Sequence, residues 1–352
     1  MDGSPDRTVT LRTIAAAAGV SVSSVSRVLS GRGDLKRETR ERVLEAARAL
    51  EYDASGPHRG RPTVLDPRLI ELVLGSFDDA WTDAVTTGAR EAAFRLGFDL
   101  VLTLERDDPA DDWPTRVATR RPSGVIIGII RPTQRQLDQL RGLRIPIVLL
   151  EPRSDPQGEL ASVGTTDWQG GYDAGIHLIE SGAAGFVVVT GTPPYRFGRA
   201  REEGFRQAIA DHRPESPVHH VNGRWTDAVV TEELLKTLVS APTPTAVFAC
   251  NDEMAFAVYR AAGRLGRRIP DDIRVVGFND EPRAATASPP LTSVQQPLRE
   301  MAARAVELVR DLRHRDADHF ERVELPSALV ARGSTGFGTG DDVESAPGAP
   351  SQ

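Results

Sequence analysis

Between Thr10 and Leu50 apolar residues recur at helical spacing in three short runs. A Gly19-Val20-Ser21 turn separates the first two, and a Ser-Gly-Arg-Gly-Asp loop precedes the third. The spacing predicts three small helices. Thr10 can cap the first, Gly19 lets the chain turn sharply, and Ser21 can cap the second by accepting a bond from an otherwise orphan amide. Ile14, Ala15, Ala18, Val20, Val25, Val28 and Leu29 then form inner faces, over which Val43, Ala47 and Leu50 close. From Leu69 onward the pattern changes to short runs of Val, Ile and Leu alternating with longer amphipathic segments, as in a parallel sheet covered by helices. Strands are predicted at 69–74, 98–103, 124–129, 146–150, 185–190, 218–221, 246–249 and 273–277.

Residues 53–67 join the two patterns and hold two glycines and three prolines, so they read as a linker. The small, acidic and proline-containing stretch 339–352 reads as a disordered tail. With 352 residues the chain is long enough for two or three folded units. The expected fold class is α/β: a three-helix helix-turn-helix domain over 1–52, the linker, and a doubly wound parallel-sheet domain over 68–338. The longest apolar stretches, such as 125–130, fall far short of the roughly 20 residues that span a bilayer. The polar N-terminus lacks the regions of a secretory signal, so no membrane role and a cytoplasmic location are expected. A single cysteine, Cys250, leaves no disulfide framework and no multi-cysteine metal site.

The net charge of −7 argues against nucleic-acid binding only until it is divided along the chain. Residues 1–62 hold eleven basic against eight acidic side chains, a balance of +3 that leaves −10 on the body. The second helix, starting Ser21-Val22-Ser23-Ser24, turns Val25, Val28 and Leu29 inward. That leaves Val22, Ser23, Ser26 and Arg27 on other faces: an apolar contact for a thymine methyl, hydroxyls, and a guanidinium that can pair with a guanine edge. Thr10, Ser21 and Ser24, near helix starts, suit phosphate contacts. The same spacing would also suit a three-helix cap with solvated polar faces.

TLRTIAAAAGVSVSSVSRVLSG closely resembles the DNA-binding start of the LacI-type family of bacterial transcription regulators. The resemblance continues through CNDEMAFAVYRAAGRLGRRIPDDIRVVGFNDEP, LTSVQQPLREMAARAVELV and LPSALVARGST. It implies a homodimeric repressor that binds double-stranded operator DNA and a small-molecule effector, a sugar or related metabolite, in a domain like a periplasmic binding protein. The family's base-contacting positions fall on Val22, Ser23 and Arg27, and Thr13 stands where aspartate is usual. The linker departs from the family. Gly56, Pro57, Gly60 and Pro62 oppose the usual hinge helix, and no leucine sits at its end. Arg59-Gly60-Arg61-Pro62 is instead similar to an AT-hook core, whose glycine admits the backbone to a narrow minor groove that attracts both guanidiniums. A flexible solvated linker is the other reading of those four residues.

Open parallel sheets bind ligands beyond the carboxyl ends of their strands. Asp78, Asp79 and Trp81 follow the first predicted strand, Arg131 the third, and Glu151 and Arg153 the fourth. Asp167, Trp168, Arg201, Trp225, Asn251, Asp252 and Asn279 complete the set. Carboxylates, amides and guanidiniums hydrogen-bond adjacent hydroxyls, while indole faces cover the apolar side of a sugar ring. The resemblance assigns Arg201, in REEGF, to the family's sugar-contacting arginine, Asn251 and Asn279 to two polar contacts, and Trp225 to an aromatic platform. Asn279 departs from the family's aspartate. Asn279 can equally cap a turn, and Asp252 can cap the following helix.

The family's crossover pattern implies one lobe from 68–164 and 296–318, and another from 165–293 and 319–337. Enzymatic readings find little support. No Walker loop, no Gly-x-Gly-x-x-Gly between strand and helix and no Gly-x-Ser-x-Gly turn is present. His219-His220 lacks the spacing of a metal helix, so neither metal, cofactor nor catalytic residue is expected.

Overall fold

A computed structural model describes residues 9–29, 36–50, 52, 68–106, 108, 110, 112–153, 160–313 and 321–336. The chain divides into two compact units, Met1–Leu65 and Asp66–Gln352. The linker segment 53–67, with Arg59, Gly60 and Arg61, and the segment 339–352 lie outside the described residues.

The first unit contains α1 (Leu11–Ala18), α2 (Val22–Leu29) and α3 (Arg37–Ala49). Thr10 and Thr13 cap α1 reciprocally: the Thr13 amide donates to the Thr10 hydroxyl at 3.3 Å, and the Thr10 amide to the Thr13 hydroxyl at 2.8 Å. Gly19 ends α1 at φ +60°, a left-handed conformation that glycine reaches without a Cβ penalty. Ser21 then accepts the Ser24 amide at 3.2 Å, which starts α2. Ile14, Ala15, Ala18, Val25, Val28, Val43 and Ala47 form one buried cluster, with Val20, Leu29 and Leu50 at its rim.

The second unit is two α/β lobes. The first builds on β1 (Leu69–Leu74), α4 (Ala80–Arg95), β2 (Asp99–Leu104), α5 (Trp113–Arg120), β3 (Gly124–Gly128), α6 (Gln134–Arg141), β4 (Ile147–Leu150) and β5 (Ala161–Thr165). The chain then crosses into α7 (Asp167–Glu180), β6 (Gly185–Thr192), α8 (Arg196–His212), β7 (Val218–Arg224), α9 (Glu232–Ser240) and β8 (Thr245–Ala249). The second lobe continues with α10 (Asp252–Leu265), β9 (Ile273–Asn279), α11 (Pro282–Thr286) and β10 (Thr292–Gln295). Helix α12 (Leu298–Leu312) returns to the first lobe, where it packs on α4 and on β3 to β5. The last strands part company: β11 (Arg322–Leu325) joins the first sheet beside β5, and β12 (Ala328–Val330) joins the second beside β10.

The sheet orders are β11-β5-β4-β3-β1-β2, all parallel, and β12-β10-β9-β8-β6-β7, parallel except for β12. Chain order reverses between β1 and β3 in one lobe and between β6 and β8 in the other, which opens crevices beyond the carboxyl ends there. Two expectations need correction. Four strands, β5, β10, β11 and β12, were not predicted, because ASVGT, TSVQ, RVEL and ALV are too short or too polar to read as buried runs. The final crossing lies between β11 and β12, so residues 322–325 belong to the first lobe and not, as expected, to the second. The pairing of Arg322 to Leu325 with Ser162 to Thr165 decides this, since the strand fills the open edge of β5.

Candidate functional site

In the first unit α2 buries Val25 and Val28 and leaves Ser21, Val22, Ser23, Ser26 and Arg27 exposed, with Val22 at 42%. The hydroxyl of Ser21 also pairs with those of Ser23 and Ser24 at 2.8 and 2.9 Å. The N-terminal half of the helix is thus a row of hydroxyls interrupted by one apolar side chain, with a guanidinium in its last turn. Helices enter major grooves with such a surface.

In the second unit the carboxyl ends of both sheets meet at Arg201, which is 3% exposed. Its Nε donates to Asp167 at 2.7 Å, one terminal nitrogen donates to the Cys250 carbonyl at 2.8 Å, and the other lies 3.7 Å from the Glu151 carboxylate. The guanidinium lies 3.7 Å from the Phe278 ring centroid and 5.0 Å from that of Phe197. Close packing of α7 on α8 sets this geometry. A Cβ on Gly204 would overlap the Trp168 carbonyl, and one on Gly171 would overlap the Arg201 carbonyl. Glu151 comes from the end of β4 and accepts the Thr165 amide at 3.0 Å, so the Arg201 ion pair spans the two lobes.

Burial raises the Glu151 carboxyl to about 8, helped by the Asp167 charge and opposed by Arg201. Burial also raises Asp167 against the pull of the same guanidinium. One buried cation faces two buried carboxylates, and the protein meets the excess by favouring a bound proton. A cavity of about 460 Å³ opens beside the triad. Ser162 and Gly164 of β5 and Arg322 and Glu324 of β11 line it from the first lobe, and Trp168, Phe197 and Glu203 from the second. That volume lies within the roughly 300 to 1,000 Å³ of small-molecule sites.

The structure brings together Glu151, Asp167 and Arg201 and scatters the other expected contacts around them. Asn251 caps α10, accepting the Met254 amide at 2.9 Å and donating to the Trp225 carbonyl at 2.8 Å. Trp225 is half-buried against Gly191 and Gly198 and stacked on Tyr195 at 5.4 Å, so Phe197 and Trp168, rather than Trp225, are the rings that line the cavity. Asn279 ends β9 at φ +112° and bonds Glu281. Asp79 caps α4 through the Thr82 amide at 2.7 Å. Burial first, then the Glu253 charge and last that of Asp79, raise the Glu281 carboxyl to about 7 against Arg283 and Asn279. Trp81 is a correction. Its indole is 8% exposed and belongs to the core of the first lobe, packed against Gly128, where a Cβ would lie 3.3 Å from the ring. Arg131 is exposed and does not line the cavity. Asp252 does not cap α10; it is fully buried one residue later, accepting the Ser293 hydroxyl at 2.6 Å and the Glu281 amide at 2.7 Å. Sequence reasoning missed Phe197, which stands one helical turn before Arg201, and the β11 pair, which a polar edge strand does not announce.

Among the described residues no helix is long and apolar enough to cross a membrane. Residues 10–55 match the family model of bacterial regulatory proteins, lacI family, and residues 176–335 match a periplasmic binding protein-like domain. The HTH-type transcriptional regulator DegA of Bacillus subtilis (strain 168) is 29% identical over 340 residues, covering 93% of this chain and 98% of that protein. The HTH-type transcriptional repressor PurR of Haemophilus influenzae (strain PittEE) is 26% identical over 332 residues, 92% of this chain and 98% of the relative. Among solved structures, the transcriptional regulator CelR–cellobiose complex superposes with a TM-score of 0.68 at 27% identity, covering 93% of this chain and 99% of the other.

Proposed function

Because the chain carries a LacI-family DNA-binding domain followed by a periplasmic-binding-protein-like domain, we propose that it is a cytoplasmic transcriptional repressor whose hold on an operator is set by a small polyhydroxylated effector. The observation that carries this reading is the outer face of α2. Val22, Ser23, Ser26 and Arg27 stand exposed on a helix whose other side is locked into a closed three-helix core. In a homodimer two such helices read a pseudo-palindromic site with half-sites about one or more helical turns apart. The triad of Glu151, Asp167 and Arg201 supports the second half of the proposal. It joins the lobes through one ion pair, and its two carboxylates line the cavity, so a ligand that hydrogen-bonds Glu151 or Asp167 shifts the balance of open and closed lobes. The cleft binds its ligand without turning it over.

The sequence of the linker supports a further contact. Arg59 and Arg61, flanking Gly60, suit the narrow minor groove of A·T-rich DNA. A mobility-shift selection with the full chain, at low salt, tests the whole reading. Operator fragments are expected to shift, a sugar panel to change the shift, and Arg59→Ala with Arg61→Ala to lower the salt slope by about 2. A protein that shifts no genomic fragment sinks the proposal, and an unchanged salt slope sinks the linker contact alone.

A further inference from the structure

The stretch 151–153 of the first lobe meets the stretch 195–201 of the second at more than the triad. Beyond the ion pair of Glu151 with Arg201, the Arg153 guanidinium sits over the Tyr195 ring, 4.4 Å from its centroid. Beside it the Arg196 amide donates to the Arg153 carbonyl at 3.1 Å, a backbone hydrogen bond from one lobe to the other. Arg153 follows β4, whereas Tyr195 and Arg196 open α8, so both contacts exist only while the lobes are together.

The ring that receives the guanidinium is held from its own lobe. Tyr195 stacks on Trp225 with planes 23° from parallel and meets Phe197 at 5.5 Å, and Phe197 in turn meets Trp225 edge-on at 5.0 Å. The Trp225 indole donates to the Pro193 carbonyl at 2.7 Å and fits because Gly191 and Gly198 carry no Cβ. The first-lobe side is held as well. Pro152 is buried, and Glu151 leaves β4 at φ +48°, a left-handed conformation that a residue with a side chain keeps only where its surroundings fix it. The Arg153 Nε is buried without a hydrogen-bond partner, so the ring face compensates a cation that has given up water at that atom.

We infer that Arg153 and Tyr195 form a latch that holds the two lobes together before any effector is bound. Moving the lobes apart takes the guanidinium off the ring and breaks the hydrogen bond from Arg196 to Arg153. On the reading that the cleft takes an effector, the latch sets its threshold. A ligand entering between the lobes works against the seat, because the latch lowers the fraction of molecules open to receive it.

The test needs neither effector nor operator. Gln134 on α6 and Lys236 on α9 are exposed, one on each lobe, and Cys250 is buried. Dyes on Gln134→Cys and Lys236→Cys in the full chain therefore report the ratio of open to closed molecules by single-molecule energy transfer. Hydrogen exchange of the Arg196 amide, followed by NMR, reports the opening of the seat itself. Arg153→Ala and Tyr195→Leu are each expected to raise both the ratio and the exchange rate about fivefold, the order for one cation–ring contact. Tyr195→Phe, which keeps the ring, leaves both unchanged, and continued protection of the central amides of β1 and β6 shows that the lobes stay folded. Where Tyr195→Leu disturbs the ring cluster, Arg153→Ala alone decides. An unchanged ratio in Arg153→Ala overturns the latch even with faster exchange at Arg196, because the contact then orders only its own loop. Equal effects of Tyr195→Phe and Tyr195→Leu overturn it too, since the ring face is then not what receives the guanidinium. Operator binding enters neither measurement, so the latch and the repressor reading fail separately.

Discussion

Glu151 and Asp167 share a single guanidinium in a site that holds almost no water-exposed surface, and this has a sign that can be worked out. The Glu151 carboxyl ordinarily ionises near 4.5 but in the folded protein does so near 8. Between those values the folded chain binds more protons than the unfolded one, so stability falls as pH rises through the window and levels off above it. Asp252, raised by burial from 3.8 to about 8, acts in the same direction. The melting temperature of the wild type is therefore expected to fall as pH climbs from about 5 to 8. Glu151→Gln, which keeps shape without the charge, flattens part of the slope, and Asp252→Asn flattens more. A profile that stays flat over this window would mean that both carboxylates ionise normally and that their surroundings are wetter than the geometry indicates.

The helices of the first unit separate packing from reading. Ile14 is fully buried at the centre of the three-helix cluster, so Ile14→Ala is expected to cost about 2 to 5 kcal/mol and to abolish DNA binding by unfolding the unit. Arg27 is exposed in the last turn of α2, so Arg27→Ala leaves thermal melting within a degree or two while weakening operator binding and relaxing its base preference by about 1 to 3 kcal/mol at one position. Circular dichroism paired with fluorescence anisotropy distinguishes the two. This unit was legible in the sequence because its signals are local: an apolar repeat, a glycine turn and capping hydroxyls. Eight parallel strands were legible for a similar reason, as runs of Val, Ile and Leu. The strands the sequence does not announce are of two kinds: β5 and β10 hold small or polar residues buried by neighbours far away in sequence, such as the α12 face packed on β5, and β11 and β12 are short edge strands with no buried residue. Glu151 could be named from its place after β4 and Arg201 from the resemblance carried by REEGF, whereas Asp167 follows β5, a strand the sequence does not announce. That Trp81 turns into the core, and that Phe197 and β11 complete the cavity, depends on packing that no spacing records.

At the scale of the molecule, the effector unit is two lobes stitched together near the end of the chain. Beyond β11 and β12, the stretch Gly333 to Thr335 ties the second lobe from within. The Ser334 hydroxyl donates to the Val275 carbonyl at 2.6 Å and accepts the Thr292 amide at 2.8 Å, and Thr335 pairs with His177 at 2.8 Å. A chain stopped after residue 320 loses one strand from each sheet and this buried knot. Its two-lobed unit is expected to lack a cooperative melting transition and to be cleaved rapidly in limited proteolysis, whereas persistence of one protected lobe would show that the lobes fold on their own.

The late arrival of those two strands also sets a schedule for synthesis. While the ribosome is still adding residues before 322, the polypeptide already outside it has two sheets each lacking a border strand, with β5 and β10 open at their edges. The three-helix unit can finish folding during translation, but the sensing half must wait until β11 and β12 have been made. A prematurely terminated product would thus carry a folded three-helix unit ahead of a sensing half that has not closed its sheets.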